Sequence, residues 1–390
     1  MSTTTAPQIA RETDPTTLEV SVVIPCLNEA DSIEACVAAA RKALTKGDYT
    51  GEVVVVDNGS TDGSGELAEA AGARVVLEAR RGYGRAYLAG LAAARGRYIV
   101  MLDADMTYDA GELPRFVEEL DEGADMVLGD RMNGIQPGAM PWLHRRIGNP
   151  VLTGLLNQFF GTQVNDAHCG MRAVRREVLP RLGLRTTGME LASEMVIRAA
   201  KAGLDIRQFP IEYHPRHGES KLSTWSDGWR HLRYLLVHSP RHLFLVPGAV
   251  MVALGVLIMA VVLLQIPLLG RDWGLHAEIG GSLLLILGVE VTALGLCATA
   301  YGVYYMDERD DWFEGMQGRF RLEHGLLIGG SIAVVGLIMG GVLLGKWIDR
   351  GFGSLAEEQL AVLAATLTTV GAQIFFTSFL LSILGLRRPD

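Results

Sequence analysis

Residues 97–105 read Arg-Tyr-Ile-Val-Met-Leu-Asp-Ala-Asp, a short apolar run that ends abruptly on two carboxylates one residue apart. Such a run is typical of a buried strand, and ligands of open α/β sheets bind just beyond the carboxyl ends of the strands. The stretch therefore predicts an α/β sheet with Asp103 and Asp105 at its functional edge. Two carboxylates with one spacer can hold Mg²⁺ through oxygen while positions stay open for phosphates. The alternative is an ordinary strand-end turn, where aspartate is common.

Apolar runs alternate with Ala-rich amphipathic segments on both sides of this stretch, up to about residue 240. This alternation predicts the βα order of a layered α/β domain. The predicted strands cover residues 19–24, 52–56, 74–77, 98–102, 125–128 and 205–209. The predicted helices cover residues 30–44, 63–71, 84–94, 112–120, 176–182 and 191–202.

Beyond residue 240 the chain becomes strongly apolar. Four stretches reach the length of about 20 residues that a helix needs to cross a bilayer; they are 243–269, 279–305, 325–347 and 360–386. Buried helices of a soluble domain are the alternative, but four in series would need a very large polar shell. Glu290 lies inside the second stretch, where a carboxylate should face other helices or a polar cavity. We therefore predict an all-α transmembrane domain of four helices.

The predicted domains are a disordered tail over residues 1–18, an α/β domain over 19–224, an interfacial amphipathic helix over 225–241 and a four-span transmembrane domain over 242–390. Residues 142–160 also mix Trp, Leu and Phe with Arg and His, as helices in the headgroup plane do. Packing on the domain's own sheet is the alternative for both amphipathic segments. An excess of Lys and Arg on one side of the spans predicts that the α/β domain and both termini are cytoplasmic. The charges that create this bias are Arg230, Arg233, Arg241, Arg309, Arg319, Arg321, Arg387 and Arg388 against Arg271, Lys346 and Arg350.

The composition of the 390 residues narrows the function classes. The net charge of −9 gives no support to nucleic-acid binding, which requires a basic surface. The four cysteines lie far apart and form no C-x-x-C pair, so neither a zinc site nor a disulfide framework is indicated. A reducing compartment is the simpler interpretation.

Three polar loops precede the carboxylates. Residues 25–29 are Pro-Cys-Leu-Asn-Glu, residues 57–62 are Asp-Asn-Gly-Ser-Thr-Asp, and residues 81–86 are Arg-Gly-Tyr-Gly-Arg-Ala. Small polar residues in the first two loops can cap helices and can also hydrogen-bond a base and a ribose. The third loop opens a predicted helix and carries cations, which suits an anionic phosphate. The order of these loops and the carboxylates predicts a nucleotide site.

These motifs resemble those of family 2 glycosyltransferases of the GT-A fold, specifically the dolichyl- or polyprenyl-phosphate sugar synthase group. The resemblance runs from about residue 20 to residue 240. It includes Asp166-Ala-His-Cys-Gly-Met-Arg172, similar to Asp-x-x-(Ser/Cys)-Gly-(Phe/Met)-Arg in the family, and Met189-Glu-Leu-Ala-Ser-Glu194. It also includes Arg216-His-Gly-Glu-Ser-Lys221-Leu, similar to Arg-x-Gly-x-Ser-Lys.

The resemblance implies a GT-A nucleotide-diphospho-sugar transferase domain followed by the membrane domain. It implies an inverting transfer of hexose from a nucleotide sugar to polyprenyl phosphate, with a β-linked product. The partners would be these two substrates and membrane lipids, without nucleic acid, and the Gly-rich spans leave the oligomeric state open.

The resemblance also implies roles for particular residues. Asp103 and Asp105 would hold Mg²⁺ or Mn²⁺, and the expected catalytic set adds Asp166 and Arg131. The residues expected to bind the acceptor phosphate are Arg131, Arg145, Asn149 and Ser220. The residues expected to bind the donor are Pro25, Asn28, Glu29, Asp57, Asn58, Ser60, Gly84, Arg85, Asp103, Ala104, Arg216 and Lys221.

Two other function classes remain open at this point. A processive polysaccharide synthase would carry a Gln-x-x-Arg-Trp motif, and this sequence lacks it. A non-catalytic scaffold or lipid transporter could retain a nucleotide-binding domain, although the intact carboxylates and cations argue against such decay. Thr107 stands where many mannosyl members have a glutamine that helps hold the metal, and this departure slightly favours UDP-glucose over GDP-mannose as the donor.

Overall fold

The computed structural model of the chain describes residues 18–216, 224–267, 273–305, 310–319, 322–353 and 357–385. Two compact units divide between Leu235 and Leu236. The first is a mixed α/β unit and the second is all-helical, which confirms the predicted fold class. The predicted tail lies outside the described residues except for Leu18, and so do Ser220 and Lys221.

Seven strands form one sheet in the first unit: β1 (Val20–Cys26), β2 (Gly51–Asp57), β3 (Arg74–Leu77), β4 (Tyr98–Met101), β5 (Met126–Asp130), β6 (Arg172–Arg175) and β7 (Ile206–Pro210). Their order across the sheet is β3-β2-β1-β4-β6-β5-β7. Only β6 is antiparallel to its neighbours, β4 and β5. The six predicted strands are confirmed, with ends displaced by at most two residues.

The helices of this unit cover both faces of the sheet. They are α1 (Ile33–Lys46), α2 (Ser64–Ala70), α3 (Tyr83–Ala93), α4 (Leu113–Asp121), α5 (Asn149–Phe160), α6 (Leu179–Leu182), α7 (Leu191–Lys201) and α8 (Thr224–Val237). One apolar core lies under α1 and α4, and the other lies under α3, α5, α7 and α8. Alternate residues of a strand point to opposite faces, so Val22 joins the first core and Val23 the second.

The register of the central strands brings the predicted site loops together. Cys26 at the end of β1 lies opposite Asp57 at the end of β2, and Met101 at the end of β4 lies opposite Val23 of β1. The three strands are parallel, so their carboxyl ends share one edge of the sheet. The loops that follow them meet there, as the position of Asp103 after its strand predicts.

Strand β6 is not predicted from the sequence because arginines occupy both of its ends. Arg172 is 1% exposed, yet its guanidinium is satisfied by main-chain carbonyls, including that of Ala192 at 3.0 Å. Arg175 donates to the carbonyl of Ala124 at 2.8 Å. These bonds remove the cost of burying the charged groups, so a strand without an apolar run lies in the interior of the sheet.

The second unit contains α9 (Val246–Leu263), α10 (Leu275–Tyr305), α11 (Asp311–Arg319), α12 (Leu322–Asp349) and α13 (Glu358–Gly385). Four helical segments in the described residues are long and apolar enough to cross a membrane. They are Arg241–Leu263, Leu275–Tyr305, Leu322–Asp349 and Glu358–Gly385. The four predicted spans are confirmed as long apolar helices, with ends that differ by up to six residues; the predicted ends at 269 and 386 lie outside the described residues.

Polar side chains join two of these spans. Gln373 of α13 donates through Nε2 to Oε2 of Glu290 on α10 at 2.9 Å, so the predicted contact of Glu290 with another helix is confirmed, although its side chain stays exposed. Ser282 and Thr366 share a hydrogen bond of 2.6 Å between the same two helices. Such bonds are expected to hold helices together where apolar contacts alone give little selectivity.

Helix α8 packs partly on the α/β unit. Its residues Tyr234 and Leu235 are buried in the second core of the α/β unit, so the helix contributes to that unit. The same helix leaves Trp229 and Val237 59% and 60% exposed. One face therefore packs on the sheet unit, and an interfacial role for residues 225–241 stays a prediction for the other face.

Candidate active site

Asp103 and Asp105 follow β4 at the shared edge of the sheet. The hydroxyls of Tyr83 and Tyr87 donate to Oδ1 of Asp103 at 3.0 and 3.1 Å. The two tyrosines are one helical turn apart on α3, so their hydroxyls reach the same oxygen. Burial, followed by the negative charge of Asp105, raises the pKa of Asp103 to about 6, against the opposing effect of the tyrosine bonds.

Asp105 is held from both sides. Thr107 donates to its Oδ1 from the main-chain nitrogen at 3.1 Å and from the hydroxyl at 2.6 Å. Oδ2 of Asp105 lies 3.4 Å from Nη1 of Arg216. The hydroxyl of Thr107 thus fixes the orientation of the Asp105 carboxylate. This role was not predicted from the replacement of the glutamine of many mannosyl members by Thr107.

Arg216 connects the carboxylates to the first polar loop. Its Nη2 lies 2.6 Å from Oε1 of Glu29, in addition to the contact with Asp105. Its Nε is buried and has no hydrogen-bond partner among the described residues. The structure thus brings together Glu29, Asp105 and Arg216, three predicted site residues that are far apart in the sequence.

The first and second polar loops are bonded to each other. The main-chain nitrogen of Asn28 donates to Oγ of Ser60 at 3.0 Å, and Oδ1 of Asn28 accepts from the nitrogen of Thr61 at 2.8 Å. Asn28 has φ of 51°, a left-handed conformation that asparagine tolerates better than most residues. Oδ1 of Asp57 accepts from the nitrogen of Ser60 at 2.8 Å. Pro25 lies in β1, next to its last residue at the same edge of the sheet.

Two residues predicted to bind the sugar donor, Asn58 and Ala104, have hydrogen-bond partners within the protein. Asn58 is 3% exposed, and its amide bonds the carbonyls of Glu78 and Arg80 and the nitrogen of Gly82 at 2.7 to 2.9 Å. These bonds fix the chain that leads into α3, and the assignment of Asn58 to the donor stays a prediction. Ala104 is also buried, and its carbonyl accepts from the hydroxyl of Ser32 at 2.7 Å.

At the start of α3, where a phosphate site is predicted, the main chain of another segment packs closely. A Cβ on Gly84 would lie 2.5 Å from the carbonyl oxygen of Thr186, so glycine is needed for close packing with residues 186–188. The main-chain nitrogen of Arg85 donates to the carbonyl of Thr187 at 3.3 Å. A main-chain segment therefore lies against this helix end, and the side chains of Arg81, which is exposed, and Arg85, which is half-buried, could approach an anion.

Asp166 and Arg131 form a buried, bidentate ion pair. Nε of Arg131 lies 2.6 Å from Oδ2 and its Nη2 lies 2.9 Å from Oδ1 of Asp166. Asp166 is 0% and Arg131 is 6% exposed. The remaining Nη1 donates to the hydroxyl of Tyr108 at 3.3 Å, and the guanidinium carbon lies 5.0 Å from the ring centre of Tyr213. This geometry fixes the orientation of the guanidinium.

Arg145 lies just before α5 and Asn149 is the first residue of that helix, and no bond joins either to Asp166 or Arg131 in the described part of the chain. Asn149 contacts the sulfur of Met140 at 3.6 Å. The neighbouring apolar side chains are exposed: Trp142, Leu143, Ile147 and Val151. The segment thus has the exposed apolar character predicted for it, while the packed residues of α5 are Thr153 and Leu156.

Tyr108 and Gly170 complete the site and were missed in the sequence. The nitrogen of Gly170 donates to the hydroxyl of Tyr108 at 2.7 Å, and a Cβ on Gly170 would lie 2.3 Å from Oδ2 of Asp103. Glycine therefore lets the Asp166 loop approach the carboxylate of β4. For Tyr83 and Tyr87 the spacing of four residues was a usable signal, whereas the contact of Gly170 joins distant segments and leaves no local pattern.

The oxygen ligands fit a hard divalent cation. In the described residues there is no group of three or more His, Cys, Asp and Glu side chains that could hold a metal by itself. Mg²⁺ is commonly bound by one or two carboxylates together with substrate phosphates, and Asp105 has its Oδ2 directed toward a positive group. Among the described residues, Asp103 and Asp105 could hold such an ion together with substrate phosphates.

Both parts of the chain match known protein families. Residues 21–183 match the family described as Glycosyl transferase family 2, and residues 296–385 match the Glycosyltransferase family 2 C-terminal transmembrane region. The low-salt glycan biosynthesis hexosyltransferase Agl6 of Haloferax volcanii is 41% identical over 368 residues, which cover 94% of this chain and 89% of the relative. The chain belongs to glycosyltransferase family 2.

Two further proteins resemble parts of this glycosyltransferase. The dolichyl-phosphate hexose transferase of Haloferax volcanii is 38% identical over 212 residues, 54% of this chain and 89% of that protein. A structure of glucosyl-3-phosphoglycerate synthase from Mycobacterium tuberculosis with Mn²⁺, UDP-glucose and phosphoglyceric acid is 26% identical, with a TM-score of 0.47 and coverage of 56% and 79%. The match to the C-terminal transmembrane region, with the four apolar helices, identifies the glycosyltransferase as a multi-pass membrane protein.

Proposed function

We propose that this glycosyltransferase moves a hexose from a nucleotide sugar to a polyprenyl phosphate, with inversion at the anomeric carbon and a β-linked product. The observation that carries the proposal is the cluster of Asp103, Asp105 and Arg216 at the sheet edge of a chain that also has four membrane spans. The names of two relatives, a hexosyltransferase of glycan biosynthesis and a dolichyl-phosphate hexose transferase, support it.

The donor side of the site would stabilise the leaving group. Negative charge grows on the nucleoside diphosphate as the sugar departs. A bound Mg²⁺ or Mn²⁺, held by Asp105 and Asp103, would supply positive charge to this diphosphate. Arg216, whose Nε has no hydrogen-bond partner among the described residues, can direct that N–H at a phosphate oxygen. We assign Pro25, Asn28, Glu29, Asp57 and Ser60 to the nucleoside, and Arg85, Arg216 and Lys221 to the phosphates.

The acceptor needs orientation more than activation. A phosphate monoester is already ionised near neutral pH, so its oxygen can attack the anomeric carbon without a strong general base. A single direct displacement proceeds from the face opposite the leaving group, which inverts the configuration. We propose that Arg131, oriented by Asp166, faces the acceptor phosphate, and that Arg145, Asn149 and Ser220 contribute at the membrane surface.

The donor and the membrane orientation belong to the same proposal. We place UDP-glucose slightly ahead of GDP-mannose because Thr107 replaces the glutamine of many mannosyl enzymes and bonds Asp105 itself. We place the α/β unit and both termini on the cytoplasmic side because Arg230, Arg233 and Arg241 precede the first span. A nucleotide-sugar screen and a cysteine-accessibility map test these two points.

Transfer by the full-length protein in detergent or vesicles is the deciding experiment. Incubation with a labelled nucleotide sugar, polyprenyl phosphate and Mn²⁺ is expected to give one lipid-linked hexose whose NMR coupling shows a β linkage. EDTA should stop the transfer, and Asp105→Ala should reduce it by at least about a thousandfold. Glu118→Gln, which changes an exposed carboxylate on α4, is the matched control and should retain activity.

Three outcomes would refute parts of the proposal. Full activity of Asp105→Ala would remove the metal assignment. A polymer in place of a monosaccharide would indicate a processive synthase. Donor binding without any lipid-linked product would indicate a non-catalytic scaffold.

A further inference from the structure

The loop from Asp166 to Gly170 carries a histidine that the proposed mechanism does not use. His168 occupies a position that the family pattern Asp-x-x-(Ser/Cys)-Gly leaves open. Its main-chain nitrogen donates to Oδ1 of Asp166 at 3.3 Å. The residue is therefore attached to the carboxylate that orients Arg131.

The side chain of His168 belongs to a relay of three hydrogen-bonding groups. Its Nε2 lies 3.3 Å from Oγ of Ser193 on α7, and this oxygen lies 2.8 Å from Nδ1 of His231 on α8. The two imidazole rings meet edge to face at 4.5 Å. Ser193 is 0% and His231 is 8% exposed, so their mutual bond is shielded from water, while His168 is half-buried.

Both bonds can form at once because the rings complement the hydroxyl. Burial, then the neighbouring His231, lowers the pKa of His168 well below its ordinary value, so the ring is neutral and has one N–H and one acceptor nitrogen. The hydroxyl of Ser193 can donate to one histidine and accept from the other. This requirement fixes the two rings relative to each other.

The relay continues to the proposed acceptor side. From His231 it passes through Ser193 to the side chain of His168, then from the main chain of His168 to Asp166, and from Asp166 to Arg131. Helix α8 ends at Val237, and the first apolar span begins at Arg241. The helix that begins this path thus directly precedes the membrane anchor in the sequence.

We propose that His231 and Ser193 are positioning residues for the acceptor phosphate, which act by holding His168 and thereby the Asp166–Arg131 pair. This inference rests on the proposed function, since it takes Arg131 as the group that faces the acceptor. It assigns to the buried face of α8 a role in substrate alignment in addition to packing.

The test measures the KM of the full-length enzyme for polyprenyl phosphate and for the nucleotide sugar separately. Ser193→Ala and His231→Leu are each expected to raise the acceptor KM by about two- to thirtyfold and to change the donor KM by less than about twofold. The double variant should be no worse than the single variants because both break the same relay. His231→Asn, which keeps an amide near the place of Nδ1, should restore most of the acceptor affinity.

Ser21→Ala is the matched control. Ser21 is also 0% exposed and accepts from the nitrogen of Gly96 at 2.8 Å, but it lies in β1 away from the relay. It should lower the unfolding temperature without raising the acceptor KM. The inference is overturned if Ser193→Ala behaves like this control, if both KM values rise together, or if the effects of Ser193→Ala and His231→Leu multiply. Failure of the unmodified enzyme to use polyprenyl phosphate would instead overturn the proposed function and, with it, this inference.

Discussion

Replacement of Asp166 by asparagine is expected to destabilise the α/β unit strongly. The carboxylate of Asp166 neutralises Arg131 through two bonds of 2.6 and 2.9 Å, and both side chains are almost completely buried. An amide of the same shape keeps at most part of this bonding and leaves the guanidinium charge without a counterion. The loss of one partner of a buried ion pair costs about 3–5 kcal/mol.

The corresponding change in unfolding temperature can be estimated. For a unit of about 200 residues, 1 kcal/mol shifts the midpoint by about 2–4 °C, so Asp166→Asn should lower it by about 6–20 °C. The exposed pair of Arg115 and Glu112, with 2.5 Å between Nη1 and Oε2, provides the matched control. Because an exposed pair contributes about 0–1 kcal/mol, Glu112→Gln should shift the midpoint by less than about 4 °C.

Unfolding can be followed with a thiol-reactive fluorophore, since three of the four cysteines report on this unit. Cys26, Cys36 and Cys169 are buried at 0–2% exposure, so they react only when the α/β unit opens. A second variant, Arg131→Met with Asp166→Leu, removes both charges and should recover much of the lost stability. Equal midpoints for Asp166→Asn and Glu112→Gln would refute the view that the buried charge pair determines the effect.

Two further predictions concern the carboxylates of β4. Gly170→Ala should lower kcat/KM about tenfold or more, because the new Cβ would lie 2.3 Å from Oδ2 of Asp103. Gly154→Ala is the control and should leave kcat/KM unchanged, because there is open space around Gly154. Equal kcat/KM values for the two variants would contradict this prediction. The pKa of Asp103 is about 6, and a cation needs the ionised carboxylate. Mn²⁺ affinity measured by EPR should therefore fall about tenfold per pH unit below about pH 6 and become constant above it. The Asp103→Asn variant should show no such dependence on pH. A Mn²⁺ affinity of the unmodified enzyme that does not change with pH would contradict the metal role of Asp103.

Much of the fold could be predicted because most helices and strands show a pattern of apolar residues within their own short segment. Six strands carried apolar runs and the four spans carried long apolar stretches, so burial could be recognised from composition alone. Strand β6 could not be recognised, since the buried Arg172 and the half-buried Arg175 are accommodated by main-chain carbonyls that accept their hydrogens. A favourable partner that is distant in sequence changes the environment of a charge and leaves no periodic signal.

The candidate site divides in the same way. The carboxylates at the end of β4 and the polar loops after β1 and β2 were recognisable, because strand ends and turn residues follow local rules. The contacts of Asn58 and Gly84 could not be recognised, because small residues of this kind can contact either a ligand or the protein's own main chain. In the structure Asn58 bonds the chain before α3, and Gly84 makes room for residues 186–188.

By itself, the sequence determined the α/β unit, the four spans and the place of Asp103 and Asp105, because apolar periodicity and strand-end carboxylates reflect burial and chain direction within a few residues. Only the tertiary structure decided which groups hold those carboxylates: Tyr83 and Tyr87 on Asp103, and Thr107 and Arg216 on Asp105. The physical reason is that hydrogen bonds and ion pairs depend on distances of about 3 Å. Such distances between remote segments are set by the packing of the whole unit.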